Sequence, residues 1–382
     1  MASPSSLPPP ARRILELARR DKASARAALA ELTLDDQVEL VCRAPAARRA
    51  ELLDLAPAPE KLVPRLPEAE LCFTVKALGL GDAGWILEHA TREQIVACVD
   101  LDAWRADEPD PQALDAWLEA LAEAGHDTLL RAARSLDPEL VVLLLRHRIA
   151  VELKPGGDED WQPPAGAQTL EGQFHFTAHR TDDDLAPVTR LLGALWSEDY
   201  WLYFRLMQGT IWELESDTQV WAQRWREGRL EDLGFRPRDE CVLALYSRLP
   251  PEKLAALPEE ARALDVSAWR LPVWKPDLPV ASDARHLLFR AAAELGPDER
   301  AAFLYAFLAL TNGVAVADRM PLGDAESSPA AIERAAGIAS AGLEHLAREH
   351  GMAASEVLRR ASLERLFRVG ANLLGEGPPQ AP

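Results

Sequence analysis

The sequence predicts an all-α protein, built either as an irregular, solenoid-like stack of helical hairpins or as a layered helical bundle. Ala, Leu, Arg and Glu are abundant from Arg12 to Leu374, and long β-branched runs are missing. Hydrophobic residues make up 48% of the 382 residues, which allows a sizeable core. Helix starts recur in one form, in which a small residue or a proline precedes acidic residues and an apolar face.

The predicted helix starts follow one another at uneven intervals. Thr33 opens a helix ahead of two acids, and Thr91 with Gln94 forms a capping box. Pro67 and Pro138 each precede a glutamate in a first helical turn. The intervals between these four starts are 34, 24 and 47 residues. A strict repeat would keep its period, so we expect degenerate hairpins, with a non-repetitive helical domain as the alternative.

Two breaks in composition predict the domain boundaries. Residues 154–185 are rich in Pro, Gly and acids, which is typical of a linker or exposed loop. Three prolines in 271–282 predict a second extended crossing. The predicted organisation is a disordered N-terminus at 1–11, a helical repeat domain at 12–153, the linker or loop at 154–185, a Trp-rich helical domain at 186–374 and a disordered tail at 375–382.

The charge of the chain is strongly negative and uneven. The net charge is -19, which disfavours binding to nucleic acid and to anionic membranes. Residues 61–200 carry 12 basic and 26 acidic groups. This segment is interpreted as a solvated surface, with a basic partner or weakly bound cations as the alternative.

The cysteines and the N-terminus predict a cytoplasmic protein. The four cysteines form no CxxC pair and have no metal-ligand spacing, so we expect buried thiols in a reducing compartment. Met1–Pro10 lacks the basic start and the apolar core of a signal peptide. The uncharged segment Ala301–Ala317 is short for a membrane span and is predicted to be a buried core helix.

A nucleotide-binding pattern occurs in 79–84, where the sequence reads GLGDAG. Asp100 follows at a distance typical of a ribose-binding acid. However, the residues before the glycines have helical apolar spacing and follow a helix start, whereas this motif requires a buried strand. We therefore interpret Gly79 as a helix C-cap and Gly84 as a close interhelical contact.

A metal hypothesis rests on His175 and His179, followed by Asp182. Two imidazoles and a carboxylate are a possible ligand set. The alternation around His175 predicts extended backbone, which separates the two histidines, and a loop-to-helix junction is the plainer interpretation. No nucleophile elbow, phosphate loop or HExxH motif occurs. No catalytic residue and no cofactor is therefore predicted.

An aromatic cluster is the most unusual feature of the sequence. Thr210 and Glu213 predict a capping box, and in the helix that it opens Leu214, Thr218, Trp221 and Trp225 would share one face. Large aromatic side chains are favoured in cores and at binding hot spots, so core packing and a protein-binding groove both stay open. The candidate partner-binding residues are Trp196, Trp201, Trp212, Trp221 and Trp225.

Three blocks resemble a bacterial family that is described only as a domain of unknown function. They are Leu66–Trp104, Trp221–Phe235 and Leu363–Gly370, and the resemblance spans most of 32–374. The first block is also similar to helical repeats of magnesium-transporter N-terminal domains and of flagellar motor switch proteins. Those repeats imply regulation and protein contacts, and they assign no function to any residue of this chain.

These observations predict a non-catalytic, cytoplasmic helical scaffold whose partner is another protein. The alternative is a small-ligand or metal-dependent enzyme or binding protein with a pocket near 172–200. A third hypothesis, a cation sensor, rests on the acidic charge of 61–200 and on the resemblance to the transporter helices. The sequence gives no oligomeric state.

Overall fold

The computed structural model describes residues 9–157, 160–179, 184–258, 285–324 and 327–379. Contacts divide the chain into two compact units, Met1–Arg226 and Glu227–Pro382. Within the described residues there are twenty-one α-helices and two short antiparallel strand pairs. The all-α prediction is confirmed.

The N-terminal unit is a succession of short amphipathic helices with two small β-hairpins. The strands are β1 Trp104–Arg105, β2 Glu108–Pro109, β3 Ile149–Leu153 and β4 Phe174–Ala178. Two 3-10 turns lie at Val63–Arg65 and Leu80–Asp82. The helices are α1 Pro9–Arg20, α2 Lys22–Ala30, α3 Leu34–Arg43, α4 Ala46–Leu55, α5 Pro59–Leu62, α6 Glu68–Leu78, α7 Gly84–Leu87, α8 Arg92–Asp102, α9 Pro111–Glu123, α10 His126–Ser135, α11 Pro138–Arg148, α12 Ala186–Glu198, α13 Tyr200–Trp212 and α14 Glu215–Asp232.

The predicted caps form where the sequence places them. The Thr33 hydroxyl accepts a hydrogen bond from the Asp36 amide at the start of α3. The capping box at the start of α8 is complete, because the Gln94 amide donates to Thr91 Oγ1 at 3.2 Å and the Thr91 amide donates to Gln94 Oε1 at 2.9 Å. Gln94 Nε2 also donates to the carbonyls of Val63 and Leu66, at 2.8 and 2.7 Å. The same side chain therefore caps α8 and fixes the turn before α6.

A buried ion pair joins α4 to α6. Arg49 contacts the carboxylate of Glu70, and both residues are buried. The guanidinium also donates to the carbonyls of Cys42 and Ala44, each at 2.9 Å, and these carbonyls lie at the end of α3. The last carbonyls of α3 have no partner within that helix, so they accept hydrogen bonds from Arg49. The Arg49 side chain of α4 thus contacts both α3 and α6.

The predicted linker at 154–185 contains a strand. β4 lies inside it and pairs antiparallel with β3, with Ile149 opposite Ala178 and Leu153 opposite Phe174. Phe174 and Phe176 are buried, because alternate side chains of a strand point to the same face. The division between the two units falls later, after Arg226 within α14, and β4, α12 and α13 pack within the N-terminal unit.

The C-terminal unit is a bundle of seven described helices. Its core contains Leu288, Phe307, Leu343, Leu366 and Phe367. The helices are α15 Arg238–Tyr246, α16 Pro251–Leu254, α17 Leu287–Ala293, α18 Pro297–Ala317, α19 Ser327–His350, α20 Ala354–Arg360 and α21 Leu363–Leu374. The predicted extended crossing at 271–282 lies outside the described residues.

Helix α18 contains the segment predicted to be a core helix. Phe303, Phe307, Leu310 and Val314 are buried in the bundle core, as that prediction requires. Among the residues that the structure describes, α18 is the one helix long and apolar enough to cross a membrane, and 56% of its most apolar window is buried. Core helices pass the same test of length and composition.

Described residues of both predicted disordered segments, 1–11 and 375–382, belong to a helix or contact one. Helix α1 begins at Pro9, inside the segment predicted to be disordered. Gly375 ends α21 with a φ of 67°, which favours glycine. The Glu376 amide then donates to the Ala371 carbonyl at 2.9 Å, and Arg334 Nη2 lies 3.3 Å from the Glu376 carboxylate. The first residues of the predicted tail are therefore fixed against the bundle.

All four cysteines are buried free thiols, as the sequence predicts. Burial raises the pKa of Cys42 to about 12 and that of Cys241 to about 11. Thiolates are the reactive form of cysteine. We therefore expect the native protein to react negligibly with the thiol reagent DTNB at mildly alkaline pH, and to release four equivalents once unfolded in urea. Rapid labelling of any thiol in the folded protein would contradict this burial.

Candidate protein-interaction surface

The five candidate tryptophans are exposed. Their exposed fractions are 42% for Trp196, 76% for Trp201, 55% for Trp212, 46% for Trp221 and 49% for Trp225. Soluble proteins bury most of the area of such side chains. The choice that the sequence left open between core and surface is decided by the structure, which places these rings at the surface.

At the start of α13 the exposed rings rest on a buried aromatic layer. Tyr200 and Trp201 meet edge to face with ring centroids 5.8 Å apart, and Trp201 lies 6.5 Å from Phe204. Phe204 in turn contacts the buried Phe174 of β4 at 5.6 Å. The β3–β4 hairpin therefore supports this end of the surface from below.

Tyr203 fixes the turn that leads into β4. Its hydroxyl donates to Glu171 Oε2 at 2.9 Å, while Glu171 Oε1 accepts from the Phe174 amide at 2.9 Å. Burial and the hydrogen bond to Glu171 raise the pKa of Tyr203. The hydroxyl consequently stays protonated and keeps donating.

Trp201 and Trp212 lie at opposite ends of one face of α13. They are 11 residues apart, which is close to three helical turns and a distance of about 16 Å along the axis. Arg205 lies on the same face, is exposed and pairs with Glu139 at 3.0 Å. The opposite face is buried through Leu206 and Met207.

Arg146 of α11 fixes the end of α13. Its guanidinium donates to the carbonyl of Gly209 at 2.8 Å, to that of Thr210 at 3.0 Å and to that of Glu213. A Cβ at Gly209 would lie 2.8 Å from the Val142 side chain, so α11 and α13 pack closely here. These contacts hold the backbone beside Trp212 in one position.

The predicted capping box at Thr210 and Glu213 is wrong. Thr210 lies in the last turn of α13, where its hydroxyl donates to the Leu206 carbonyl at 2.8 Å, and α14 begins at Glu215. The tertiary contacts of Arg146 extend α13 past the residue whose chemistry favours a helix start. The predicted shared face is also wrong, because Leu214 precedes α14 and is exposed, whereas Thr218 is buried.

Helix α14 displays a stacked tryptophan pair. The rings of Trp221 and Trp225 are 6.1 Å apart and inclined by 27°. The guanidinium carbon of Arg224 lies 5.4 Å from the centre of the Trp221 ring, which is a cation–π contact. The buried face of the helix carries Thr218 and Ala222.

Arg226 anchors the same helix to the N-terminal unit. Its Nε donates to the Asp100 carbonyl at 2.8 Å and its Nη1 to the Ala106 carbonyl at 3.3 Å. The guanidinium carbon lies 4.7 Å from the centre of the Trp104 ring. Arg226 is buried, so the neighbouring Trp225 is held on a fixed helix.

The nucleotide-binding pattern forms a helix junction. The residues before Gly79 belong to α6, and Gly79 ends that helix with a φ of 99°, as predicted. A Cβ at Gly84 would lie 3.5 Å from the backbone of Ala124, which is an ordinary contact, so the predicted close approach at this glycine stays a prediction. Asp100 is fully buried in α8. A phosphate site of this type requires a buried parallel strand before the glycines, but the residues before Gly79 form helix α6.

The two histidines of the metal hypothesis make other contacts. His175 lies in β4, where its ring meets that of Trp161 edge to face at 4.8 Å. His179 Nε2 lies 2.8 Å from the Arg146 carbonyl. Asp182 lies outside the described residues, within which no group of three or more His, Cys, Asp or Glu side chains is placed to hold a metal. The extended backbone predicted around His175 is confirmed.

Acidic residues flank the exposed tryptophans along the chain. Glu213, Glu215 and Asp217 are exposed between Trp212 and Trp221. At the other end of α13, Glu198 pairs with His126 at 2.7 Å and Asp199 with Arg134 at 2.9 Å.

Leu214 and Val220 are two further exposed apolar residues of this region that were not predicted. Val220 shares the exposed side of α14 with Asp217, Trp221 and Arg224. The polar residues at the neighbouring positions were the signal that this side faces solvent.

The fold and its exposed aromatic surface define an all-α protein of helical bundles. A family model described as a family of unknown function (DUF6178) matches residues 26–376, and the chain belongs to this family. No curated protein and no solved structure matches the chain. The resemblance to a family of unknown function is thus confirmed, while the similarity to magnesium-transporter and motor-switch repeats stays a prediction.

Proposed function

We propose that this chain is a non-catalytic helical interaction protein that binds another polypeptide through exposed tryptophans. The rings of Trp196, Tyr200, Trp201, Trp212, Trp221 and Trp225 on α12–α14 are called the tryptophan surface below. The observation that carries the proposal is the exposure of five tryptophans within thirty residues.

Exposed tryptophans favour association on energetic grounds. Burying apolar area yields roughly 25 cal/mol per Å², and tryptophan offers more such area than any other side chain. Tryptophan is also enriched among the residues that dominate interface energies. A set of such rings left in water is therefore better explained by a bound partner than by the stability of the isolated chain.

The tryptophan surface is rigidly supported, which lowers the entropic cost of binding. Arg146 fixes the end of α13 beside Trp212, and buried Arg226 fixes α14 beside Trp225. Phe174 supports the rings at the start of α13. We further propose that the protein acts in the cytoplasm, because its four free thiols suit a reducing compartment.

The test is selection from a displayed library of random peptides on the immobilised full-length protein. We expect enriched peptides to bind wild type and to lose about tenfold or more of their affinity for Trp212→Ala and for Trp221→Ala. Trp85→Ala is the matched control, because Trp85 is 37% exposed on α7, outside the surface.

Peptides that bind the three variants equally well, or a library from which nothing is enriched, would contradict the proposal. Circular dichroism and thermal unfolding establish that each variant is folded. Loss of binding by the Trp85→Ala control would indicate a different surface.

A further inference from the structure

We infer that the partner segment that docks at the Trp212–Trp225 end of the tryptophan surface is basic and contains arginine. This inference rests on the proposed function and adds the chemical class of the partner. It is carried by the charge of the exposed groups around the rings and by the way in which tryptophans of this unit already bind guanidinium groups.

The segment that carries these rings has a negative charge. Residues 196–225 carry five acidic and two basic groups. Both basic groups are already engaged, since Arg205 pairs with Glu139 at 3.0 Å and Arg224 lies over the Trp221 ring. Acidic side chains without an ion pair within the described residues therefore remain in this segment, while Arg146 of α11 donates to backbone carbonyls beside Trp212.

Three of these acids lie in one stretch. Glu213, Glu215 and Asp217 are exposed, and no ion pair joins any of them to a basic group within the described residues. Asp217 precedes Trp221 by four residues on α14, which places the two on neighbouring positions of the helix surface. The Asp217 carboxylate is therefore next to the cluster that Trp221 forms with Trp225 and Arg224.

Arginine fits this combination better than lysine does. Its planar guanidinium stacks on indole rings and is weakly hydrated, and its charge is permanent. The guanidinium carbon of Arg224 lies 5.4 Å from the centre of the Trp221 ring. That of Arg226 lies 4.7 Å from the centre of the Trp104 ring. Two tryptophans of the unit thus show the contact that a partner arginine would repeat on the exposed rings.

The charge also disfavours the other occupants of such a surface. A second copy of the chain would bring a net charge of -19 against the same carboxylates. A nucleic acid would be repelled in the same way. A polypeptide segment with arginines and apolar side chains satisfies both the rings and the acids.

The test uses three amphipathic peptides that share leucine and alanine positions and carry arginine, glutamine or glutamate at the remaining ones. We expect the arginine peptide to bind about tenfold more tightly than the glutamine peptide at low salt, and the glutamate peptide to bind most weakly. The advantage of the arginine peptide should fall as sodium chloride screens the charges.

A matched pair of double variants locates the effect. Glu215→Gln with Asp217→Asn should reduce the affinity for the arginine peptide about fivefold and leave that for the glutamine peptide unchanged. Glu119→Gln with Glu123→Gln removes two exposed carboxylates of α9 and should change neither affinity. Equal binding of the arginine and glutamine peptides, or an equal effect of both double variants, would overturn the inference.

The outcomes separate this inference from the proposed function. Tryptophan-dependent binding of the glutamine peptide with no preference for arginine would overturn the basic partner alone. Binding that Trp221→Ala leaves unchanged for every peptide would contradict the proposed function as well. Dimerisation of wild type but not of Trp221→Ala, measured by light scattering, would show a second copy as the occupant and overturn the basic partner.

Discussion

Gly370→Ala is expected to lower the free energy of unfolding of the C-terminal unit by about 3 kcal/mol. A Cβ at position 370 of α21 would lie 1.9 Å from the Ile338 carbonyl oxygen of α19. The reciprocal contact is equally close, with a Cβ at Gly342 placed 1.9 Å from the Leu366 carbonyl oxygen. Both obstacles are backbone atoms, so the helices have to move apart and lose packing along their contact.

The control lies in α19, the helix that Gly370 of α21 contacts. Gly337 belongs to α19, but the nearest atom to its added Cβ is a His286 ring carbon at 3.8 Å, an ordinary contact. Gly337→Ala should therefore stabilise the protein by about 0.5–1 kcal/mol, because alanine favours helix over glycine. Urea denaturation measures both changes.

A double variant tests whether the two glycines form one contact. Gly342→Ala and Gly370→Ala obstruct the same crossing of α19 and α21, so a single separation of the helices relieves both. The double variant should lose less stability than the two single variants together. Stabilisation by Gly370→Ala, of the size expected for Gly337→Ala, would show that the helices are not in backbone contact.

Glu70→Leu is expected to destabilise the N-terminal unit by about 3–5 kcal/mol. The substitution leaves the buried guanidinium of Arg49 without its carboxylate. Arg49 cannot simply withdraw, because it also donates to the carbonyls of Cys42 and Ala44 at the end of α3. An unpaired charge in the interior costs several kcal/mol even when such hydrogen bonds persist.

Glu70→Gln separates charge from hydrogen bonding. Its amide oxygen still accepts a hydrogen bond from Arg49 and its volume is unchanged, so the loss of stability should be smaller than for Glu70→Leu. Unfolding monitored by circular dichroism in urea measures both variants. A Glu70→Leu variant as stable as wild type would contradict a buried ion pair between α4 and α6.

The three blocks that resemble the family coincide with packing features of this chain. Leu66–Trp104 contains Glu70, and Leu363–Gly370 ends at the glycine of the α19–α21 crossing. Trp221–Phe235 begins with the exposed tryptophan pair and includes the buried Arg226. The first and last blocks thus contain residues that hold helices together. The block Trp221–Phe235 contains both Arg226, which anchors α14, and part of the tryptophan surface.

The sequence was sufficient where the determining interaction is local. The caps at Thr33 and Thr91 depend on side chains within three residues of the amides they satisfy, so the pattern predicts them directly. Gly79 was correctly predicted as a C-cap because it follows a helical apolar pattern. The core helix containing 301–317 was equally clear from its apolar residues.

Distant contacts explain what the sequence left undetermined at Thr210 and in 154–185. Thr210 has the chemistry of a helix start, but Arg146, 64 residues earlier in the chain, donates to its carbonyl and keeps it inside α13. The predicted linker at 154–185 contains β4, because β3 supplies the partners for its backbone groups. The contact with Arg146 leaves no signal in the residues around Thr210, whereas the alternation around His175 indicated the extended backbone of β4 but not its partner strand.

The sequence by itself determined an all-α protein with buried thiols, capped helices and an unusual concentration of tryptophans. Only the tertiary structure decided that Trp201, Trp212, Trp221 and Trp225 are exposed. The physical reason is that an aromatic side chain gains from burial in a core and at an interface alike. Whether such a side chain is buried or exposed depends on which face of its helix the neighbouring elements cover. The contacts of Arg226 determine the buried face of α14, and those of Phe174 determine the buried face of α13.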